Sequence, residues 1–419
     1  MNKSFLDLKV YEYTLDCGLK LFIVPKDGTN KYATLTTRYG DKDIEFKVDG
    51  KDIKVPLGSA HFLEHKVFEQ ENGVDPFTFF TESGADANAS TSLSKTTYLF
   101  SGDNNFESNL DYLLNFVYSP YFTKENVEKE KGIIIEELTM YLDNPSDILY
   151  KKNLFNSFHE NPVKYGVGGT KETVSKITKD TLYKIYDNFY HPSNMVLVIT
   201  GNVEEDIIYE IVKNNEKIKN FRKKEIPKLK KYKEKDSIVI ENEIVEANVV
   251  TPKVSVNYKL NVKDFKNEDL YNFKLAINML FDIKFSETSL LNEKLKKEGI
   301  INFGLSAQTT YTDTHALLSI SGESDTYEEL ISNIKNELKS TSVTKEELER
   351  KKKVLLSTNV YISDSIFAIN SKVLSNYLDY GEFICNDDEI IRKFDINKYN
   401  EIMDKLDFSN VSTVVVKGK

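Results

Sequence analysis

The sequence predicts an α+β chain made of two homologous domains, each a mainly antiparallel sheet packed against helices. Three observations carry that expectation. The 419 residues exceed what a single hydrophobic core usually supports. Three separated segments recur in the same order at offsets between 216 and 221 residues. Within each half, short apolar strands alternate with long helical excursions and include hairpin-like pairs, the pattern of an antiparallel sheet with helices on one face.

The recurrences fix the elements. TTYLFSGDNNFESNLDYLLNFV (96–117) is echoed by ALLSISGESDTYEELISNIKNEL (316–338), each an apolar strand, a Ser-Gly turn and an amphipathic helix. TKENVEKEKGIIIEEL (123–138) is echoed by TKEELERKKKVLLSTN (344–359), and SNMVLVITG (193–201) by SNVSTVVVKG (409–418). Strands are expected at 20–26, in the alternating run 33–40, at 96–102 and at 194–201. Helices are expected to begin near Pro56, after Asn109, at Thr123 with its capping-type T-K-E-N, and near Thr178. Residues 217–236 hold ten Lys or Arg, one Pro and few apolar side chains, which reads as a solvated linker. The expected organisation is therefore a domain over 1–216, a basic linker over 217–236 and a homologous domain over 237–419.

Composition narrows the function. A hydrophobic share of 40 % with 29 % charged residues is that of an ordinary globular chain. The net charge of −10 argues against a protein whose task is neutralising phosphates, and the basic run has only Phe221 and Tyr232 as interleaved aromatics, so no nucleic-acid partner is expected. Two cysteines, Cys17 and Cys385, form neither a disulfide framework nor a thiolate metal site. With no run of about 18 apolar residues and no apolar signal region, the expectation is a cytoplasmic chain without a membrane span.

Chemistry concentrates in GSAHFLEHKVFEQ. His61 and His65 stand at i and i+4, one turn apart on one helix face, which suits two imidazoles gripping one Zn²⁺. Glu64 lies between them on the same side, where it can reach a metal-bound water rather than the metal. A catalytic zinc usually takes three protein ligands, so a third is required. The best candidate is Glu137 in EKGIIIEEL (130–138): it stacks with Glu130 seven residues earlier on the face shared with Ile133, Ile134 and Tyr141. That face reads as buried, where a carboxylate needs a partner such as a metal ion, whereas Glu136 is rotated by about 100° toward solvent. The duplication supplies a control. In the second half Thr358 stands opposite Glu137 and Lys351 opposite Glu130, and 276–286 contains no His, Glu or Cys. The fold does not need the first-half residues, which favours a chemical role for them. His159, His191 and His315 read as structural.

HFLEH followed by EKGIIIEE resembles the insulinase/pitrilysin family of inverted zincins, in the bacterial branch similar to the β subunit of mitochondrial processing peptidase and within it the YmfH-like group. The resemblance extends over GADANASTSLSKTTYLF, NPVKYGVGGTKETVSKIT and NFYHPSNMVLVITGNV, and so covers nearly the whole chain. It implies His61, His65 and Glu137 as the ligands of one zinc ion per chain, Glu64 as the general base, and Glu130 as the second carboxylate that supports the site from behind. It also implies that the strand around Asn88 and Ala89 is the edge onto which a peptide substrate adds, with Phe68, one turn beyond His65, lining a side-chain pocket.

One departure bears on partners. Relatives that work as homodimers or single long chains carry an Arg and, about seven residues later, a Tyr in the second domain, and both contact substrate. Here Lys296 and Phe303 stand there, without the guanidinium fork and without the hydroxyl. The resemblance then implies a zinc metallopeptidase acting on short unfolded peptides as the catalytic subunit of a heterodimer, its partner a homologous subunit lacking the zinc motif. Trimming of a leader or precursor peptide is the narrower option, and a non-catalytic scaffold or peptide-binding subunit of the same fold is the alternative.

Overall fold

The computed structural model describes residues 2–266 and 268–419, and the chain divides into two compact units. The first comprises residues up to Leu138, Val167–Lys231 and Thr358–Asp387; the second comprises Thr139–Gly166, Tyr232–Ser357 and Asp388–Lys419.

The first unit is built on β1 (Asn2–Phe5), β2 (Leu8–Thr14), β3 (Lys20–Pro25), β4 (Lys31–Thr37), the hairpin β5 (Glu45–Val48) and β6 (Lys51–Lys54), β7 (Asp86–Thr91), β8 (Thr96–Gly102) and β9 (Met195–Gly201). Seven of these form one sheet in the order β1-β2-β3-β9-β4-β8-β7, antiparallel except for β3 beside β9. The short strand β10 (Lys228–Leu229) joins the β5–β6 hairpin as a small separate sheet. In the second unit β11 (Asn242–Glu246), β12 (Lys253–Asn261), β13 (Ser306–Tyr311), β14 (His315–Glu323) and β15 (Val411–Lys417) make a sheet in the order β11-β15-β12-β14-β13, antiparallel except for β11 beside β15. The run β3-β9-β4-β8-β7 thus has the same order and the same single parallel pair as the five-stranded sheet, which is the duplication expressed as topology.

Helices cover the sheets because the strands are apolar on more than one face. β9 is buried along its whole length. Leu197 and Ile199 join the main core, whereas Val196 and Val198 meet Ile369, Val373 and Leu374 of the helix Ile366–Tyr380. Each such side chain contributes about 1.5–3 kcal/mol when removed from water. β12 behaves differently. Val254, Val256, Tyr258 and Leu260 enter the core, and the alternate residues Ser255 and Asn257 bond Asn153 of the helix Pro145–Ser157 at 3.0 Å each.

The four expected strands are present within three residues at either end. The helix expected after Asn109 starts earlier, at Phe106, because Asn105 takes a left-handed conformation there and begins the turn. Thr123 and Asn126 cap each other as expected: Asn126 N donates to Thr123 Oγ1 (3.1 Å) and Thr123 N to Asn126 Oδ1 (2.9 Å). The compact units differ from the expected boundaries in where two helices belong. Pro145–Ser157 groups with the second unit and Ile366–Tyr380 with the first, so we read 1–216 and 237–419 as limits of the duplicated sequence only.

The basic run departs from a simple solvated tether. Its ten cationic side chains are exposed, yet Lys228 and Leu229 pair with β5, and Glu234 is buried. Glu234 accepts from the backbone of His159, Glu160 and Asn161 at 2.8–2.9 Å and from Lys259 Nζ at 2.7 Å, with both side chains fully buried. Burial pushes this carboxyl up, but Lys259 and the three amides outweigh it and hold the pKa at about 2. Glu234→Ala is expected to destabilise the second unit by roughly 3–5 kcal/mol at pH 7, because Lys259 is left buried without its partner. A folded-state pKa below the unfolded value stabilises above the unfolded value and loses that contribution as pH falls toward about 2. Denaturant titrations should therefore show the gap between wild type and variant narrowing from pH 6 to pH 3; a gap independent of pH would contradict the assignment.

Candidate metal centre

The metal motif lies on α1 (Ser59–Val67), which buries Ala60, Phe62, Leu63 and Val67 and leaves His61, Glu64 and His65 on its other side, with Phe68 as the C-terminal cap. The helix begins three residues after Pro56. Its N-cap is Gly58, at φ 83°, with no side-chain cap of its own. Asp41 replaces it from a distance: Oδ1 accepts from Ala60 N (3.1 Å) and His61 N (3.2 Å), and Oδ2 accepts from Gly168 N. Burial raises the Asp41 carboxyl to about 6 against the pull of those three amides. Gly168, at φ 95°, is needed as glycine. That left-handed backbone is what demands glycine; a Cβ there would press at 2.8 Å only on the flexible end of Leu138, at Cδ2, and would meet His61 Nδ1 at an ordinary 3.9 Å.

The second helix of the site is α2 (Lys124–Leu142), which brings Glu130 and Glu137 to α1. Glu137 Oε1 is 3.8 Å from His61 Nε2, and Oε2 is 3.6 Å from His65 Nε2. One ligand atom from each of His61, His65 and Glu137 lies within 4.8 Å of the other two. Ligands around tetrahedral zinc sit about 3.3 Å apart, given bonds of 2.0–2.1 Å. Two imidazole nitrogens and a carboxylate oxygen converging at this separation fit a zinc ion with small side-chain adjustments. His65 Nδ1 is 3.0 Å from Glu130 Oε1, the carboxylate–imidazole pairing that leaves Nε2 free for a metal. His61 Nδ1 is buried with no partner among the described residues.

The electrostatics of the two imidazoles differ. Burial, then the neighbouring His65, lowers the His61 pKa against the pull of Glu137 and Glu130, keeping a lone pair available. Burial pulls His65 down too, but the Glu130 hydrogen bond and the surrounding carboxylates leave it raised. Burial raises Glu64 against a 2.5 Å hydrogen bond from Thr91 Oγ1 and the charge of His65.

Glu137 does not lie on a buried helix face as its spacing implied. The α2 face that carries it is not buried: Ile133 and Tyr141 are about half exposed and the Glu137 side chain keeps 34 % exposure, although Ile134 is buried and Glu136 is exposed as expected. This side of the helix is open, so the carboxylate is reachable by solvent.

Among the described residues β7 is the terminal strand of its sheet, paired only with β8. Asn88 is exposed and its Oδ1 accepts from Ala89 N at 2.8 Å, while Ala89 is half-buried on the same side as Thr91. Thr91, which the sequence reading missed, joins this strand to Glu64; the i, i+2 rule applied from Ala89 is the signal that points to it. Phe68 is half-buried in an aromatic cluster, stacked on Phe77 at 4.5 Å and touching Phe116 and Tyr98, so one ring face is already covered. In the second unit Lys296 is exposed, and Phe303 is 72 % exposed at a cavity of about 560 Å³ whose walls include Tyr150 and Gln308. The other histidines have hydrogen-bond partners away from this site: His159 with Ser237, His191 with the Ser193 amide, and His315 with Asp236. Among the described residues, His61, His65 and Glu137 are the one group able to hold a metal ion, and no helix is long and apolar enough to cross a membrane.

Comparison with known proteins matches this arrangement. Residues 51–171 match the model of the insulinase family (peptidase family M16), and residues 176–355 match that of the peptidase M16 inactive domain. The uncharacterized zinc protease YmfH of Bacillus subtilis is 39 % identical over 82 % of each chain. A crystal structure of an M16-like chain from Alicyclobacillus acidocaldarius superposes with a TM-score of 0.93 at 30 % identity, covering 99 % of both chains. Pitrilysin shares the fold at a TM-score of 0.77 and 16 % identity, covering all of this chain and 46 % of that one.

Proposed function

The chain belongs to the insulinase family of peptidases, peptidase family M16, and from that premise we propose that it is a zinc endopeptidase or oligopeptidase acting on short, unfolded peptides. The observation that carries this reading is the convergence of His61, His65 and Glu137 with Glu64 beside them on one helix face. His61, His65 and Glu137 would hold a zinc ion, which when bound would supply a Lewis acid for the peptide carbonyl and lower the pKa of water.

The chain's own groups do the remaining work. Glu64, raised by burial, takes a proton from water at Oε1 as attack begins and returns it to the departing amine nitrogen. Glu130 holds the His65 ring through Nδ1, so the imidazole presents Nε2. The free edge of β7, at Asn88 and Ala89, takes the peptide as an added strand through backbone hydrogen bonds, and Phe68 lines an adjoining pocket for a side chain. Such binding reads little sequence, which suits a protease of short peptides, including a leader or precursor peptide. The free thiols of Cys17 and Cys385 suit the cytoplasmic setting that belongs to this reading.

Lys296 and Phe303 extend the proposal to a heterodimer, since two copies of this chain would both lack the Arg and Tyr that the family places there. The zinc-loaded chain alone should hydrolyse an unfolded fluorogenic peptide poorly. A homologous subunit without the metal motif but with that Arg and Tyr should raise the rate at least about tenfold, and chelation should abolish it until zinc is returned. Full activity from the isolated chain, unaffected by Phe303→Ala or by the partner, would remove the heterodimer. Peptide binding without cleavage in every combination would favour the scaffold reading.

A further inference from the structure

We infer that Thr91 is a positioning residue for Glu64, one that references the base to the same strand that receives the peptide; this rests on the assignment of Glu64 as the base. Thr91 Oγ1 donates to Glu64 Oε2 at 2.5 Å, across 27 residues of sequence. An acidic side chain on a helix surface has three rotatable bonds, and this bond removes most of that freedom. It engages one carboxylate oxygen. The other, Oε1, is left for the reacting centre.

Thr91 is itself held. Its hydroxyl lies 3.2 Å from Thr96 Oγ1, and Thr96 Oγ1 donates to the carbonyl of Tyr39 at 3.1 Å. Thr96 is fully buried and directly opposite Thr91 in the β7–β8 ladder. An ionised carboxylate can only accept, so Thr91's single proton goes to Glu64, and with the Thr96 proton on Tyr39 the 3.2 Å approach of the two hydroxyls is a packing contact. The sheet thus fixes where the Thr91 hydroxyl sits, through its place opposite the buried Thr96, and the carboxylate fixes where its proton points.

The placement on β7 gives this chain a function beyond support. Ala89 and Thr91 are i and i+2, about 7 Å apart on one face of the strand. A peptide added at Asn88 and Ala89 and the carboxylate anchored at Thr91 then share one rigid frame, so a shift of the strand moves both together. A base held only by its own helix would lose registration with the scissile bond.

The test uses the full zinc-loaded chain, with its partner if that is required for turnover, and a fluorogenic peptide. Thr91→Val removes the hydroxyl and keeps a β-branched residue; Thr91→Ser restores the donor. Thr91→Val should lower kcat about tenfold to a hundredfold with KM and zinc content unchanged, and Thr91→Ser should recover most of the loss. In a Glu64→Gln background, Thr91→Val should leave peptide affinity unchanged, and a metal-free crystal structure of Thr91→Val should show the Glu64 carboxyl turned away or in two conformers. Wild-type kcat in Thr91→Val, loss of zinc, a raised KM at constant kcat, or a Thr91→Ser variant as impaired as Thr91→Val would each overturn the inference. A fully active Glu64→Gln would instead remove the reading of Glu64 as the base.

Discussion

Glu64→Gln is expected to abolish peptide turnover, by at least about 10³-fold, while one zinc ion per chain and peptide affinity are retained. The amide has nearly the shape of the carboxyl and can still accept from Thr91, so the helix and its two histidines are undisturbed. What is lost is a group that can take a proton and give it back. Its burial matters here, because a carboxyl raised above its ordinary range holds that proton more readily at the pH of the reaction. Steady-state kinetics, metal analysis and calorimetric titration with a peptide measure the three quantities separately. Near-normal hydrolysis by the variant would remove Glu64 from the mechanism, and loss of zinc would show that it acts through the metal site instead.

Replacing His61, His65 or Glu137 should have the opposite signature, with zinc lost first and activity lost as a consequence. Wild type should bind one zinc ion per chain and gain thermal stability on adding it, since a ligand that binds only the folded state stabilises in proportion to the logarithm of its excess over Kd. His61→Ala, His65→Ala and Glu137→Gln should show no such gain. Glu130→Gln, which leaves the ligand set intact but weakens the hold on His65 Nδ1, should lower zinc affinity by roughly 10–100-fold and no further. Glu136→Gln serves as the comparison, because that side chain is exposed. If it lost zinc while Glu137→Gln kept it, the pairing of α1 with the Glu137 face of α2 would be wrong.

The contrast among these residues shows how far a linear reading reaches. His61, Glu64 and His65 are legible because their relation is local: 3.6 residues per turn places i, i+3 and i+4 on one side whatever else the chain does. The i, i+7 relation of Glu130 and Glu137 is legible for the same reason. Which side of α2 is covered is not a local property. The spacing assigned Ile133 and Tyr141 to a buried face, and the fold leaves both about half exposed, whereas Ile134 enters the main core. Asp41 and Gly168 had no signal at all, since their contact spans 127 residues and involves one side chain and one backbone amide.

By itself the sequence determined the duplication, the α+β class and the helical face that carries the two histidines, all of which follow from periodicity, spacing and internal repetition. Tertiary structure alone decided that Glu130 meets His65, that Thr91 meets Glu64, that Glu234 is buried against Lys259, and that the helices Pro145–Ser157 and Ile366–Tyr380 group with the units they do. The physical reason is the same in each case. Hydrophobic burial is non-directional and an apolar helix face fits more than one sheet, so periodicity identifies a face to be covered without naming what covers it. The choice is made by shape and by pairing of buried polar groups, such as Asn153 with Ser255 and Asn370 with Thr34, which only the assembled chain brings together.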